Sequence, residues 1–378
     1  MEEVLKKAEF SETRAKELGA IGDGRLSALR RHFLGLGSVP PYVTWETARE
    51  LARACLVGQW NAKNKADINA LEGILGKGYE EWIENLRVNT LRSDSPLIQT
   101  EEKWRFVARG EVWSALGNRI TDEDLDRLRT TAVVVLGERD PAFDLPKEER
   151  YAASIHGKQL KHSQNIRKGI VDTLALVGSR PQALNNCSVG KAETTAILVV
   201  RTLLHEAGWE RWASLESLLP LLAEAAPDEF LDAVETALID LSKSPFHEIF
   251  AQEESGGFGG CNYMSGLLWA LEGLAWHPDY LTRVAIILAD IASIDPGGNW
   301  ANRPFNSLVD IFLPWHIQTT AAFDKRKAVI ETVLKEQPNV GWSLLLALLP
   351  HSHSVTRGKK HFDLSGRYSL NNQSTLTV

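Results

Sequence analysis

The stretch SGLLWALEGLAWHPDYLTRVAIILADIA, Ser265 to Ala292, decides the fold class. Its first half sets Leu267, Leu268, Leu271, Leu274 and Ala275 on one stripe. Its second half does the same with Leu281, Val284, Ala285, Leu288, Ile291 and Ala292. Apolar residues recurring at i, i+3, i+4 and i+7 mark an amphipathic helix. Pro278 stands between the halves, and a proline in the first helical position has its φ already set and gives up no needed donor. The stretch therefore predicts two helices folded into a hairpin.

The same order recurs on either side, in LLPLLAEAAPDEFLDAVETAL and AVIETVLKEQPNVGWSLLLALL, with Pro227 and Pro338 in the place of Pro278. In the first of these Leu231, Val234, Leu238 and Leu241 form the stripe, flanked by Phe230. GSRPQAL at Pro181 reads as an earlier, degenerate instance. The prolines are 51 and 60 residues apart, too irregular for a tetratricopeptide or consensus HEAT period. Paired helices that cannot bury their faces alone still stack into an array. The expected fold is all-α, with stacked hairpins forming an irregular TPR/HEAT-like solenoid. The expected regions are an N-terminal helical region over 1–136, the array over 137–350 and a polar tail over 351–378. Strand-like alternation is scarce; TTAVVVLGE around Val133–Val135 is the best case, and it equally fits the buried end of the helix begun by TDEDLDRLR. Thr44, and Thr121 with Asp124 three residues on, read as helix caps.

Composition places the chain among soluble globular proteins: 378 residues, 44% apolar and 24% charged. Apolar runs are broken well short of the ~20 residues that cross a bilayer. MEEVLKKAEFSETRAKELG has no signal-peptide core. Cys55, Cys187 and Cys261 lie far apart without a pairing framework. Together these point to the cytoplasm. Ser214–Trp300 holds fourteen Asp/Glu against two Lys/Arg, a local net charge of −12 within an overall −7. Such a segment repels phosphate backbones, so nucleic acid is disfavoured as a partner, as is a membrane.

No catalytic signature appears, and the expectation is no catalytic residue, no cofactor and no bound metal. In NNCSVGKAETTA a phosphate loop would need Gly where Asn185 stands and a hydroxyl where Ala192 stands; Gly190-Lys191 reads as a helix start. SGGFGG (Ser255–Gly260) has neither a preceding strand nor a following Lys or Asp, and Gly256–Gly260 reads as a turn. His351, His353 and His361 sit in the polar tail and lack a convergent ligand set. In HGKQLKHSQNIRKG, Lys158, Lys161, Arg167 and Lys168 form a candidate basic patch around His156 and His162. The twelve tryptophans are best explained by core filling, then by interface anchoring. In DPGGNWANRPFNSLVDIFLPWH, Asp295–Gly298 ends one helix and Pro304 begins the next. That helix's stripe is Leu308, Ile311, Phe312 and Trp315, with a kink or early end expected at Pro314. Arg303 is the one residue there that packing does not explain.

FGGCNYMSGLLWALEGLAWHPDYLTRVAIILADIASIDPGGNWANRPFNSLVDIFLPWHIQTTA, with PNVGWSLLLALLPHSHS, resembles the helical-repeat region of very large bacterial conflict proteins, among them STAND-type antiphage NTPases of the Avs kind. The resemblance runs from about Trp209 to His353 and more weakly from Trp60. It implies a sensor or scaffold role. In that family an NTPase module drives oligomerisation and an N-terminal effector acts on the cell; neither motif set matches here, so no catalytic residue carries over. The reading is a non-catalytic protein-binding scaffold or sensor in bacterial antiphage defence, able to form a homo-oligomer, and whole or a piece of a longer protein. Its candidate partner contacts are Phe258, Tyr263, Trp300, Arg303 and Trp315. The alternative is an enzyme or nucleic-acid accessory subunit whose site is assembled from distant helices.

Overall fold

A short amphipathic helix becomes stable by laying its apolar face on a neighbour, and the architecture follows from how these helices find neighbours. A computed structural model describes residues 2–8, 10–23, 25–34, 39–253 and 262–349. The chain is mostly helical, 68% helix against 3% strand. Two compact units are present, Met1–Gly137 with Lys161–Val199, and Glu138–Leu160 with Val200–Val378. The units are thus discontinuous in sequence: residues 161–199, expected within the array, pack with the first unit. The tail over 351–378 lies outside the described residues, as do Phe258, Cys261 and the Gly256–Gly260 loop.

The first unit begins with α1 (Glu2–Lys7), α2 (Glu12–Gly22) and α3 (Leu26–Leu34), which share a small core of Leu5, Ala15, Leu18 and Leu29. It continues through α4 (Ala48–Val57), α5 (Lys65–Leu75), α6 (Tyr79–Thr90), α7 (Arg109–Leu116), α8 (Asp122–Leu136) and α9 (Gln164–Ser179), and its boundary falls within α10 (Lys191–Leu204). Val133–Val135 is the end of α8, helical and not a strand. The cap on α8 forms as read: the Asp124 carboxylate accepts from the backbone N–H of Thr121 at 3.0 Å. Thr44 caps nothing; it closes a 3-10 turn by donating to the Pro41 carbonyl, and α4 starts four residues later. Buried Asp67 accepts from the backbone N–H of Asn61 (2.9 Å) and of Ser163 (2.8 Å), tying the starts of α5 and α9 together.

Three strands escaped the sequence reading: β1 (Gln59–Asn61), β2 (Leu97–Thr100) and β3 (Lys103–Phe106), antiparallel in the order β1-β3-β2. At three or four residues each they are too short to show alternation. What holds them is a cross-strand pair: Trp60 opposes Trp104, and the rings stack with centroids 5.7 Å apart.

The second unit runs through α11 (Trp209–Ser214), α12 (Leu219–Ala225), α13 (Pro227–Leu238), α14 (Pro245–Ala251), α15 (Ser265–Ala275), α16 (Pro278–Ser293), α17 (Pro304–Phe312), α18 (Phe323–Glu336) and α19 (Pro338–Ala347). Pro227, Pro278 and Pro338 each open the second helix of a hairpin, as expected. α12 packs on α15, α15 on α17 and α17 on α19, while α13 packs on α16 and α16 on α18. The two rows meet through α12–α13, α15–α16, α16–α17 and α18–α19. The stripes read from sequence face this core: Leu267, Leu268, Leu271, Leu274, Leu281, Val284 and Leu288 are all buried. α17 ends at Phe312, and Leu313 is extended (ψ 123°), as a residue before proline must be. Among the described residues no helix is long and apolar enough to cross a membrane.

Gly266, in the first turn of α15, lies so close to the chain at Glu216 that a Cβ would overlap the Glu216 carbonyl oxygen. Backbone cannot move aside as a flexible side chain does. We expect Gly266→Ala to destabilise the second unit by about 1–3 kcal/mol, the usual scale of overpacking, measured as a lower urea midpoint with an unchanged slope.

Candidate functional site

Arg303 is the centre of a polar cluster in the second unit. It precedes Pro304 in extended conformation and serves as N-cap residue of α17 without capping it, which frees its guanidinium to reach elsewhere. Nη2 donates to Glu253 Oε2 (2.7 Å) and to the Gly297 carbonyl (2.8 Å), and Nη1 donates to Asp295 Oδ1 (2.9 Å). The guanidinium also lies 5.8 Å from the Phe250 ring. Arg303 is buried and its two carboxylate partners are largely so, with side-chain exposure of 8% for Arg303, 9% for Glu253 and 11% for Asp295. Asp295 in turn accepts from the Gly297 N–H at 2.8 Å, which closes the turn. Lys147 donates to the carbonyls of Ala251 and Glu253, so the end of α14 is held from a second side. Burial pushes the Glu253 carboxyl above its ordinary range; Arg303 opposes that shift, and Asp295 adds to it.

Beside this hub is an aromatic group. The Tyr263 ring meets Phe143 edge-on at 5.6 Å, and Phe143 meets Trp209 at 5.0 Å. Arg150 lies over both Phe143 (5.3 Å) and Trp209 (5.9 Å) and donates to Gln252 at 2.7 Å. The Asn262 amide reaches the Asn302 carbonyl at 3.4 Å. Tyr263 and Arg303 are thereby brought together through their immediate neighbours. Trp300 is half-buried in the turn before them. Trp315 lies beyond the other end of α17, 45% exposed and outside the buried stripe assigned to it. Arg303 is not an exposed anchor; it is 7% exposed overall.

Of the residues read as a basic patch, Arg167 is not at the surface. Lys158 belongs to the second unit and pairs with Asp144 (2.9 Å), whereas Lys161, Arg167 and Lys168 belong to the first. Arg167 is buried and donates to the Val135 carbonyl at 2.8 Å, and Lys168 pairs with Asp172 at 3.0 Å. Lys191, of the phosphate-loop look-alike, is spent on Asp126 at 2.8 Å.

The sequence reading missed a second charged cluster, in the first unit. Arg31 grips Glu111 with two donors (2.6 and 2.8 Å) and also bonds Asp94. Tyr42 donates to Glu111 at 3.2 Å. Burial, and then the Glu111 charge, push the Tyr42 hydroxyl well above its usual range. A small cavity bounded by these groups, Ser95 and Pro96 opens beside them. Asp94 and Ala108, both on its wall, take positive φ (63° and 51°), strained for residues with a Cβ. Arg31 is 63 residues from Asp94 and 80 from Glu111, so no local motif announces the cluster.

In both clusters an arginine is met by carboxylates that hold it in place, the geometry of a structural tie. Neither described thiol is activated: burial raises Cys55, and burial with Asp122 pushes Cys187 up to about 11. Among the described residues no group of three or more His, Cys, Asp or Glu side chains is placed to hold a metal. Comparison with protein-family models, curated proteins and solved structures returned no match.

Removing Arg303 leaves two buried carboxylates without their cation. We expect Arg303→Met to cost about 3–5 kcal/mol at neutral pH, with the variant regaining part of that loss on acidification. The sign follows from Glu253. Its folded-state pKa is already raised, and removing Arg303 raises it further. Between the unfolded and folded values the folded form keeps a proton that the unfolded form releases. Stability therefore falls as pH rises through that window and recovers as pH drops. Urea unfolding of wild type and variant from acid to neutral pH checks this: the variant's loss shrinks as pH drops, whereas a loss that does not change with pH overturns the role of Arg303 at Glu253.

Proposed function

We propose that this chain is a helical-repeat scaffold or sensor that binds a protein partner, with its second unit stacked as an irregular TPR/HEAT-like solenoid. The observation that carries the reading is the two rows, α12-α15-α17-α19 and α13-α16-α18, each helix crossing to the other row at the next step apart from α14. Stacking of this kind buries a continuous core between rows while leaving the outer side of each row to a ligand. On the first row α15 is covered along its length except at Trp269, its one exposed residue, at 41%. Trp315, in the segment that follows α17, is exposed at 45%. Large aromatic residues held in the open by a rigid scaffold are the usual anchors of protein interfaces. The resemblance to repeat regions of Avs-type antiphage proteins supports a sensor role in the bacterial cytoplasm, and the structural character of the Arg303 and Arg31 clusters supports a non-catalytic one.

The test is recovery of a partner at native expression level with the tagged wild-type chain and with a Trp269→Ser/Trp315→Ser chain. We expect a discrete partner protein with wild type and at least about tenfold less with the double variant, given the energy such anchors carry. Recovery of no partner, or equal recovery by a variant with native circular dichroism, overturns the reading.

A further inference from the structure

The Arg31 cluster joins two parts of the first unit that are otherwise built apart. α1 packs on α2 and α2 on α3, and among the described elements none of the three packs extensively on any other helix or strand. Their core of Leu5, Ala15, Leu18 and Leu29, with Ile21 against it, is their own. What fastens this lobe to the rest is polar. Asp23, at the end of α2, accepts from Arg105 (3.2 Å) and from the Ala108 N–H (3.3 Å). On α3, Ser27 bonds Asp94, and Arg31 one turn on bonds Asp94 and grips Glu111. The cavity lies in this seam, with Arg25, Ala28 and Arg31 on one wall and Tyr42, Asp94 and Glu111 on the other. A small polar seam lets the parts it joins move, where a large apolar one would not.

Two observations favour opening. Of the five described non-glycine residues with positive φ, three lie in the seam: Asp23 (38°), Asp94 (63°) and Ala108 (51°). Such backbone persists only while its neighbours fix it, so separation relieves it. The receiving side also keeps its shape without Arg31. The Tyr42 hydroxyl donates to Glu111 Oε2, the same oxygen that Arg31 Nη2 uses, and a preorganised acceptor binds at lower ordering cost. Asp94 and Glu111, with side chains 15% and 22% exposed in the docked state, regain water once the lobe leaves, so the charges are not stranded. Two carboxylates set around one planar fork select a guanidinium over an ammonium. We infer that α1–α3 is a self-docked lobe whose Arg31 occupies a guanidinium-binding site made by Glu111 and Asp94 and held by Tyr42. Release of the lobe leaves α4–α9 folded, with that site open to an arginine of another chain. This does not rest on the partner surface proposed for the second unit.

Carbodiimide labelling of carboxylates in the full chain, read by mass spectrometry at Glu111 and Asp94, tests it. Arg31→Glu removes the guanidinium and sets a like charge against the site, so it holds the lobe off. Labelling at both positions is expected to rise at least about tenfold over wild type, the scale of hydrogen bonds to a charged group. Methylguanidinium is expected to slow labelling of Glu111 in the variant, and methylammonium at the same concentration to slow it much less. All twelve tryptophans lie outside residues 1–34, so their near-ultraviolet circular dichroism reports the rest of the chain alone. That signal and its urea midpoint are expected to match wild type. Labelling that does not rise, equal protection by the two cations, or loss of the tryptophan signal in the variant each overturns the inference.

Discussion

Burying a guanidinium between two carboxylates is the constraint around which the second unit is arranged. Arg303 gathers Glu253 from the end of α14, Asp295 from the end of α16 and the Gly297 carbonyl from the turn between α16 and α17. Taking three charges out of water costs more than a surface ion pair returns, and an apolar cluster of equal volume is often the more stable choice. Here an apolar cluster would not serve, because the segment also carries backbone groups that need partners once water is excluded. Arg303 satisfies one of them and Asp295 another. Ion pair and backbone bonds together hold a long connection against the helices.

With that connection pinned, α17 enters its row at a defined place, and the apolar faces on either side do the rest. Ser307 of α17 donates to buried Glu272 of α15 at 2.5 Å, and Gln337, in the turn between α18 and α19, donates to Asp290 of α16 at 2.6 Å. These bonds add register to packing that would otherwise tolerate sliding, because apolar contact is non-directional. Near-complete burial of α15 reflects its packing against α12, α16 and α17, whereas Trp342 and Leu346 of α19 stay exposed.

Much of this was legible in the sequence, and what was not shares a cause. Pro227, Pro278 and Pro338 announced hairpins because proline acts on its own backbone. The leucine stripes announced buried faces because a helix repeats within a few residues. Asp124 announced its cap on Thr121 from three residues away. The strands were missed because three residues make no period and the Trp60–Trp104 stack joins residues far apart. Trp315 was assigned to a stripe that Pro314 cuts short: the spacing was right, but the helix had already ended. Of the candidate site, Tyr263 and Arg303 stood out as polar or aromatic residues in loops, while their partners did not. Glu253 lies 50 residues before Arg303, and one glutamate among many carries no local mark.

Sequence by itself determined where helices begin, which face of each is apolar, and that such helices must stack. Those properties depend on φ preferences and on a period of 3.6 residues, both local. Only the tertiary structure decided that residues 161–199 pack with the first unit, that Arg167 and Arg303 are buried, and that Trp342, Leu346 and Leu349 face outward. Those outcomes depend on which distant residues come within bonding distance, and distance along the chain does not encode them.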